Sequence, residues 1–312
     1  MKSRIYVNDV AVRDGFQIEK DFVPTETKVD LINALSETGL AKIEVASLVN
    51  PKLVPNMRDG EDVLAQIKRK PGVKYSAIAL NLKGVERAAA LAARPDEINV
   101  VMSVSETHNR ANANRSHAQS LAEFAEVAHI AKAVGMRVNG TLSTSFGCPF
   151  EGRVAEARVL EFAEKFLALA FDGITLADTT GMANPQQVES LAGKVVQRFP
   201  QAEITLHFHN TRGMGLANVL AGLNAGVRHY DGSLAGLGGC PFAPGATGNI
   251  CTEDLVNMLQ DMGYDTGVDL DKLLLCARRI PAIVHHDVPG QVIKSGKTLE
   301  LRPLPARLQT KQ

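Results

Sequence analysis

The sequence predicts a closed (β/α)8 TIM barrel with additional C-terminal helices, and three observations carry that expectation. Eight short β-rich runs alternate with helix-like stretches over roughly 230 residues, the pattern of parallel strands joined by crossover helices. No G-x-G-x-x-G opens a helix after the first run, which counts against the runner-up, a doubly wound open sheet. No linker-like or low-complexity stretch divides the 312 residues, so 1–312 reads as one barrel-sized catalytic domain.

The strand runs come in order. They are RIYVNDVAV (4–12), KIEVA (42–46), KYSAIAL (74–80), EINVVMSV (97–104), RVNGTLST (137–144), GITLAD (173–178), EITLHFHN (203–210) and HYDGSLAG (229–236). Between the first two, Thr25 is placed to cap a helix carrying Val29, Ile32 and Leu35 on one face, with Gly39 as its stop. Between the fourth and fifth, Leu121, Phe124, Ala125 and Ala128 share a helical face that ends at Gly135. From about residue 253 the chain turns helical again, in EDLVNMLQDMG and then LDKLLLCARRIPAIV, which predicts C-terminal helices and a tail packed on or beside the barrel.

Composition narrows the function. Lys plus Arg equals Asp plus Glu at 34 each, so no overall charge draws the chain to nucleic acid or to an anionic membrane. The chain is 45% hydrophobic, yet no apolar run approaches the ~20 residues of a membrane span. MKSRIYVNDV lacks the apolar core of a signal peptide, and the four cysteines, at 148, 240, 251 and 276, form no C-x-x-C pair. A reducing cytoplasmic location is therefore expected, with buried free thiols at most of these positions.

In a barrel of this kind, chemistry belongs at the C-terminal ends of the strands and in the loops after them. Arg13 and Asp14 are expected to end the first strand, with Glu44 late in the second and Asp178 closing the sixth. In LHFHN, side chains alternate, so His207 and His209 point to one face while Ile204, Leu206 and Phe208 point to the other. Two inward imidazoles are either hydrogen-bonded core histidines or ligands of one metal, and the catalytic rim favours metal. Asp14 and the side-chain carbonyl of Asn249 offer oxygen ligands, and mixed imidazole and oxygen donors suit Mg²⁺, Mn²⁺ or a neighbouring ion. Arg13 has two readings, an ion pair with Asp9 or stabilisation of a developing oxyanion, and Glu44 is a candidate to hold it in place. The segment SLAGLGGCPFAPGATGNICTEDL (233–255) surrounds Cys240 with glycines, as a loop needing unusual backbone angles or close approach to a ligand would.

Taken together, VRDGFQ (12–17), IEVASLVNPKLVP (43–55), TLADTTG (175–181), LHFHN (206–210), SLAGLGGCPF (233–242) and GNICTEDL (248–255) resemble the hydroxymethylglutaryl-CoA lyase family. The resemblance runs from about residue 4 to about residue 275, and the S-x-A-G-L-G-G-C-P segment is its most specific part. It implies a metal-dependent barrel enzyme that splits a branched 3-hydroxyacyl-CoA by retro-Claisen cleavage, as in leucine catabolism. It implies Asp14, His207, His209 and Asn249 as metal ligands and Arg13 as the oxyanion stabiliser. It also implies a supporting role for Glu44 near the centre, Cys240 as the catalytic thiol, and Lys20 as a contact for the CoA end. The general base stays open between Asp14 and His207. A homodimer is also implied, although no residue pattern demands it.

The chain departs from the family at DVAVRDGFQ (9–17), where lyases usually have E-V-G-P-R-D-G-L-Q. It also departs at Asn139 and Thr141, where they carry arginine and tyrosine, and at Asn210 in place of aspartate. These changes leave the metal and thiol residues intact and bear on the acyl pocket. The alternatives are a Claisen-condensing acyltransferase of the same superfamily and a lyase for another hydroxyacyl-CoA such as citramalyl-CoA.

Overall fold

The computed structural model describes residues 3–239 and 248–305. Eight strands, all parallel to their neighbours, close into a barrel in the order β1 to β8. They are β1 (Tyr6–Asp9), β2 (Lys42–Ser47), β3 (Lys74–Ile78), β4 (Glu97–Ser103), β5 (Arg137–Ser143), β6 (Gly173–Asp178), β7 (Glu203–Phe208) and β8 (His229–Gly232). Helices α1 (Thr25–Ser36), α2 (Gly60–Gln66) and α3 (Leu82–Ala90) follow the first three strands in turn. Both α4 (Glu106–Ala113) and α5 (His117–Ala133) lie between β4 and β5, and α6 (Glu156–Ala168), α7 (Pro185–Arg198) and α8 (Gly215–Asn224) follow β5, β6 and β7.

Strand alternation builds two cores. Ile204, Leu206 and Phe208 of β7 are buried in the apolar layer beneath the helices, with Val138 and Leu142 of β5. At Gly140 an added Cβ would run into the ring of Phe166, so glycine lets α6 seat directly on the sheet. The barrel's interior is polar at its lower end. Lys42 Nζ donates to Glu97 Oε1 at 2.5 Å, and Arg137 bridges Glu97 and Glu203 at 3.3 and 3.2 Å. Buried charge of this kind persists only when paired, and here every partner is present.

Three details differ from the sequence expectation. β1 stops at Asp9, and residues 11–15 form a π-helical turn, so Arg13 and Asp14 sit on that turn rather than on a strand end. Asp9 drives the bend by accepting the N–H of Ala11 at 2.9 Å, and Val10 C=O takes the N–H of Asp14 at 2.7 Å. Thr25 is the first helical residue of α1, not its cap; Pro24 precedes it, and Thr25 Oγ1 donates instead to Asp59 Oδ2 at 2.8 Å. The helix expected from 253 is α9 (Thr252–Asp261), which follows β8 in the barrel's own alternation. The elements added to the barrel are α10 (Leu270–Ala277), α11 (Ile280–Val284) and α12 (Val292–Ser295).

In α5 the expected apolar face holds at Phe124 and Ala128, but Ala125 is exposed and Val127 takes its place in the core. Ser116 and Gln119 form a capping box at the start of α5, Phe124, Val127, Ala128 and Ala131 are buried, and Gly135 turns out at φ 78°. No helix among the described residues is long and apolar enough to cross a membrane.

Candidate active site

At the C-terminal end of the barrel, a cavity of about 180 Å³ is lined by Arg13, Asp14, Glu44, His207 and His209, among others. The residues come together from four separate places. The π-helical turn supplies Arg13 and Asp14, β2 supplies Glu44, β7 supplies His207, and His209 lies just past its end. Asn249 arrives from the far arm of the cysteine segment. Its backbone pairs with that of His209, and Asn210 N–H donates to Gly248 C=O at 2.9 Å.

One ligand atom each from Asp14, His207 and His209 lies within 4.8 Å of the others. Asn249 Nδ2 donates to Asp14 Oδ2 at 2.7 Å and to Leu237 C=O at 3.0 Å, which locks its orientation. Among the described residues, that leaves Asn249 Oδ1 buried without a hydrogen-bond partner, and His209 Nδ1 is in the same condition. Orphaned buried acceptors are rare and call for an explanation. A divalent cation is one that fits: a carboxylate, two imidazoles and an amide carbonyl form a mixed nitrogen and oxygen donor set.

The electrostatics suit a cation ligand set. Burial alone would raise the Asp14 carboxyl, but Arg13, the two histidines and Asn249 hold it down to about 2. Burial and the neighbouring His207 push His209 down to about 4, so it is neutral and able to ligate. Burial opposes a charge on His207, yet its contact with Asp231 and the field of Asp14 leave its pKa raised.

Arg13 does not pair with Asp9. Asp9 is taken by Ala11 N–H and by the Thr252 hydroxyl at 2.6 Å, and burial pushes its carboxyl up to about 6. Arg13 instead donates through Nε to Glu44 Oε2 at 2.5 Å and through Nη1 to Asp14 Oδ1 at 2.7 Å. Glu44 is steadied in turn by Asn99 Nδ2 at 3.2 Å. The guanidinium is thus fixed on both sides while it faces the cavity.

The glycines of the cysteine segment have a geometric reason. Gly238 has φ 107°, and a Cβ there would lie 2.5 Å from Asn249 Nδ2 and 3.3 Å from Asp14 Oδ2. Gly248 has φ 93°, and a Cβ on it would come within 2.6 Å of Gly238 C=O. The two arms of the segment cross backbone to backbone directly behind Asp14. Cys240 itself lies outside the described residues, next to Gly239, which lines the cavity. Cys148, Cys251 and Cys276 are buried free thiols.

Other expected positions fall elsewhere. Lys20 is exposed in a bend past the π-helical turn and does not line the cavity. Asp178 ends β6 as expected, but its Oδ1 accepts the N–H groups of Met182 and Ala183, so it holds the loop before α7. Of the two departures on β5, Thr141 lines the cavity, whereas Asn139 lies in the layer below, donating to Thr175 Oγ1 at 2.9 Å. Among the lining residues that escaped the sequence reading are Asn99 on β4, His108 and Asn112 on α4, and Asp231 on β8. Asp231 was within reach, because HYDGSL alternates and places Asp231 on the inward face with His229; nothing in the sequence marked α4.

The same chain features are found in known proteins. The HMGL-like family model matches residues 4–280. The chain is 43% identical over 295 residues to the hydroxymethylglutaryl-CoA lyase of Bacillus subtilis, covering 94% of this chain and 98% of the relative. It is 44% identical over 274 residues to the mitochondrial hydroxymethylglutaryl-CoA lyase of Mus musculus, covering 88% and 84%. Among solved structures, an HMG-CoA lyase from Acinetobacter baumannii in complex with coenzyme A and 3-methylmalate superposes with a TM-score of 0.92. It is 48% identical, covering 98% of this chain and 100% of that one. A match that spans the whole barrel, with relatives this similar in both sequence and backbone, places the chain in the HMGL-like family, alongside the hydroxymethylglutaryl-CoA lyases.

Proposed function

We propose that the protein is a divalent-metal-dependent carbon–carbon lyase that cleaves 3-hydroxy-3-methylglutaryl-CoA to acetyl-CoA and acetoacetate. The observation that carries the reading is the donor set of Asp14, His207, His209 and the orphaned Asn249 carbonyl on the wall of a cavity that Arg13 also faces. These four residues would hold the ion, and the nitrogen and oxygen mixture suits Mg²⁺ or Mn²⁺. When bound, such an ion acidifies a hydroxyl and orients the substrate.

The chain's own groups account for the rest. Cleavage moves the hydroxyl proton to a base, and the electron pair of the C2–C3 bond passes to C2. The alcohol carbon becomes a ketone and acetyl-CoA leaves as its enolate. His207 and Asp14, both in the cavity wall, are the two candidates to accept that proton. Arg13, pinned by Glu44, faces the oxygen on which charge grows, where a fixed donor is worth most. The enolate carbon then needs a proton. Cys240, which follows the cavity-lining Gly239 in the sequence, is assigned that step, since a thiol is a competent acid there. Lys20 is retained only as a contact for the distal CoA end, outside the cavity. The cytoplasmic setting rests on the cysteine pattern and the N-terminal sequence, and the homodimer on the resemblance.

The test is acetyl-CoA release from 3-hydroxy-3-methylglutaryl-CoA in the presence of reductant, before and after chelation. Turnover should vanish with the chelator and return with Mg²⁺ or Mn²⁺; unchanged turnover without divalent ion refutes the reading. A second reading, a lyase for another branched 3-hydroxyacyl-CoA, is favoured by Thr141. It is a small polar side chain on the cavity wall where hydroxymethylglutaryl-CoA lyases usually carry tyrosine.

A further inference from the structure

We propose that Asp231 is a positioning residue that fixes His207 for ion binding; the inference rests on the metal-dependent reading above. Asp231 projects inward from β8, and both of its oxygens are engaged. Oδ2 lies 3.3 Å from His207 Nδ1, and Oδ1 accepts from Asn8 Nδ2 at 2.8 Å. The carboxylate therefore ties three strands together: β1 through Asn8, β7 through His207, and β8, its own. It also lines the cavity floor, so it belongs to the site and not to the apolar layer outside the strands.

The consequence for His207 is chemical. An imidazole whose Nδ1 carries a proton toward a carboxylate has its lone pair on Nε2, and the tautomer of a metal-binding histidine is set in this way. Asp231 thus does three things at once. It selects the tautomer, it stops rotation of the ring, and it makes the remaining nitrogen more basic. Among the described residues, no carboxylate fixes His209 Nδ1 in this way, since that atom is buried and unbonded. The two histidines are therefore not equivalent: His207 is held in place beforehand, while the orientation of His209 depends on the ion and on packing. Loss of Asp231 should weaken the site without removing any ligand.

Asn8 supplies the control. Its own Oδ1 is buried with no partner among the described residues. In Asp231→Asn, the Asn8 amide can turn over so that this oxygen accepts from the introduced amide nitrogen, while the introduced amide oxygen still accepts from His207 Nδ1. That variant keeps the geometry and loses the charge. Asp231→Ala loses both.

The experiment is titration of chelator-treated full-length protein with Mn²⁺ alone, followed by electron paramagnetic resonance, with thermal melts of the ion-free variants alongside. Outer-shell partners of metal-bound histidine are typically worth ~10–100-fold in affinity, so Asp231→Ala should weaken Mn²⁺ binding by that factor and Asp231→Asn by less. Affinities of both variants within about twofold of the wild type overturn the proposal, whatever the melts show, because a residue that only braces the barrel changes the melt and not the ion affinity. His209→Ala separates the two layers of inference. If it weakens Mn²⁺ binding and the Asp231 variants do not, the metal reading stands and this proposal falls. If the wild type binds no Mn²⁺, both fall.

Discussion

Replacing Arg13 by lysine tests the chemistry and the packing of the site in one variant. Arg13 is buried and spans two carboxylates, Glu44 through Nε and Asp14 through Nη1. A lysine keeps the charge, but one ammonium cannot reproduce a planar fork that reaches both acids. At least one charge-assisted hydrogen bond is lost, which costs roughly 1.5–3 kcal/mol of stability. Unfolding entropy near ~2.1 cal/mol/K per residue, over a chain of 312 residues, converts that loss to a melting shift of about 2–5 °C. The effect on catalysis should be much larger in proportion. Removing a preorganised donor from a developing oxyanion typically costs ~10²–10³ in kcat, with KM changed little because the charge in question exists only in the transition state. Steady-state assay of acetyl-CoA release at saturating Mg²⁺, beside melting curves, reads both quantities. A variant that melts lower yet retains near-normal kcat would return Arg13 to a purely structural ion pair and refute the oxyanion assignment.

Three further outcomes are expected. Cys240→Ser should leave folding and ion binding intact but depress turnover strongly, because a hydroxyl is a far weaker acid than a thiol; retention of most activity removes the thiol from the proton transfer. Across a panel of 3-hydroxyacyl-CoA thioesters, the wall at Thr141 should admit a substituent longer than methyl, and strict preference for 3-hydroxy-3-methylglutaryl-CoA would defeat this expectation. Burial pushes the Glu253 carboxyl up to about 8, above the ~4.3 of an unfolded chain, so folding retains a proton that the unfolded chain releases between those pH values. Stability should therefore fall as pH rises through that window. Glu253→Gln should flatten the slope, and an unchanged slope in urea melts would mean that the buried acid is not its source.

The barrel was legible because its cause is local. Each strand run is short, rich in branched residues and alternating, and parallel pairing demands a helix between each two. The inward direction of His207 and His209 followed from period two alone, and the burial of Ile204, Leu206 and Phe208 on the other side agrees with it. The error at residues 11–15 has the opposite origin. AVRDG would continue a strand on propensity, but the Asp9 carboxylate accepts the N–H of Ala11 and bends the chain, a side-chain contact that no period records. Partner choice was equally hidden. Arg13 has Asp9 at a plausible sequence distance, yet its partner is Glu44, thirty-one positions away and brought near by the β1–β2 pairing. Asp9 was already committed to Thr252, at the far end of the barrel sequence.

That commitment is one of several that anchor the two described arms of the glycine-rich segment. Glycine is used there for close backbone crossing, and it leaves the segment with the most conformational entropy to lose. The compensation lies in three consecutive side chains just after it. Thr252 donates to Asp9 and so ties the start of α9 to β1. Glu253 accepts the N–H of Ala235 at 3.0 Å, and Gly290 N–H donates to Ala235 C=O at 3.2 Å, so both backbone groups of a non-glycine residue at φ 60° are held. Asp254 accepts the N–H groups of Gln291 and Val292, the latter at 2.7 Å, which fixes the C-terminal segment over the same place. Each side chain faces a different element, as three successive residues at the start of a helix must. The near arm of the segment is anchored at Ala235 and the far arm at Asn249, beside Asp14. Between those anchors only residues 236–248 are left to the glycines, and the thiol of Cys240 belongs to that short span. Without the Thr-Glu-Asp triplet the two arms would lose their anchors beside Asp14, which is why the motif GNICTEDL matters to the site beyond its one ligand candidate, Asn249.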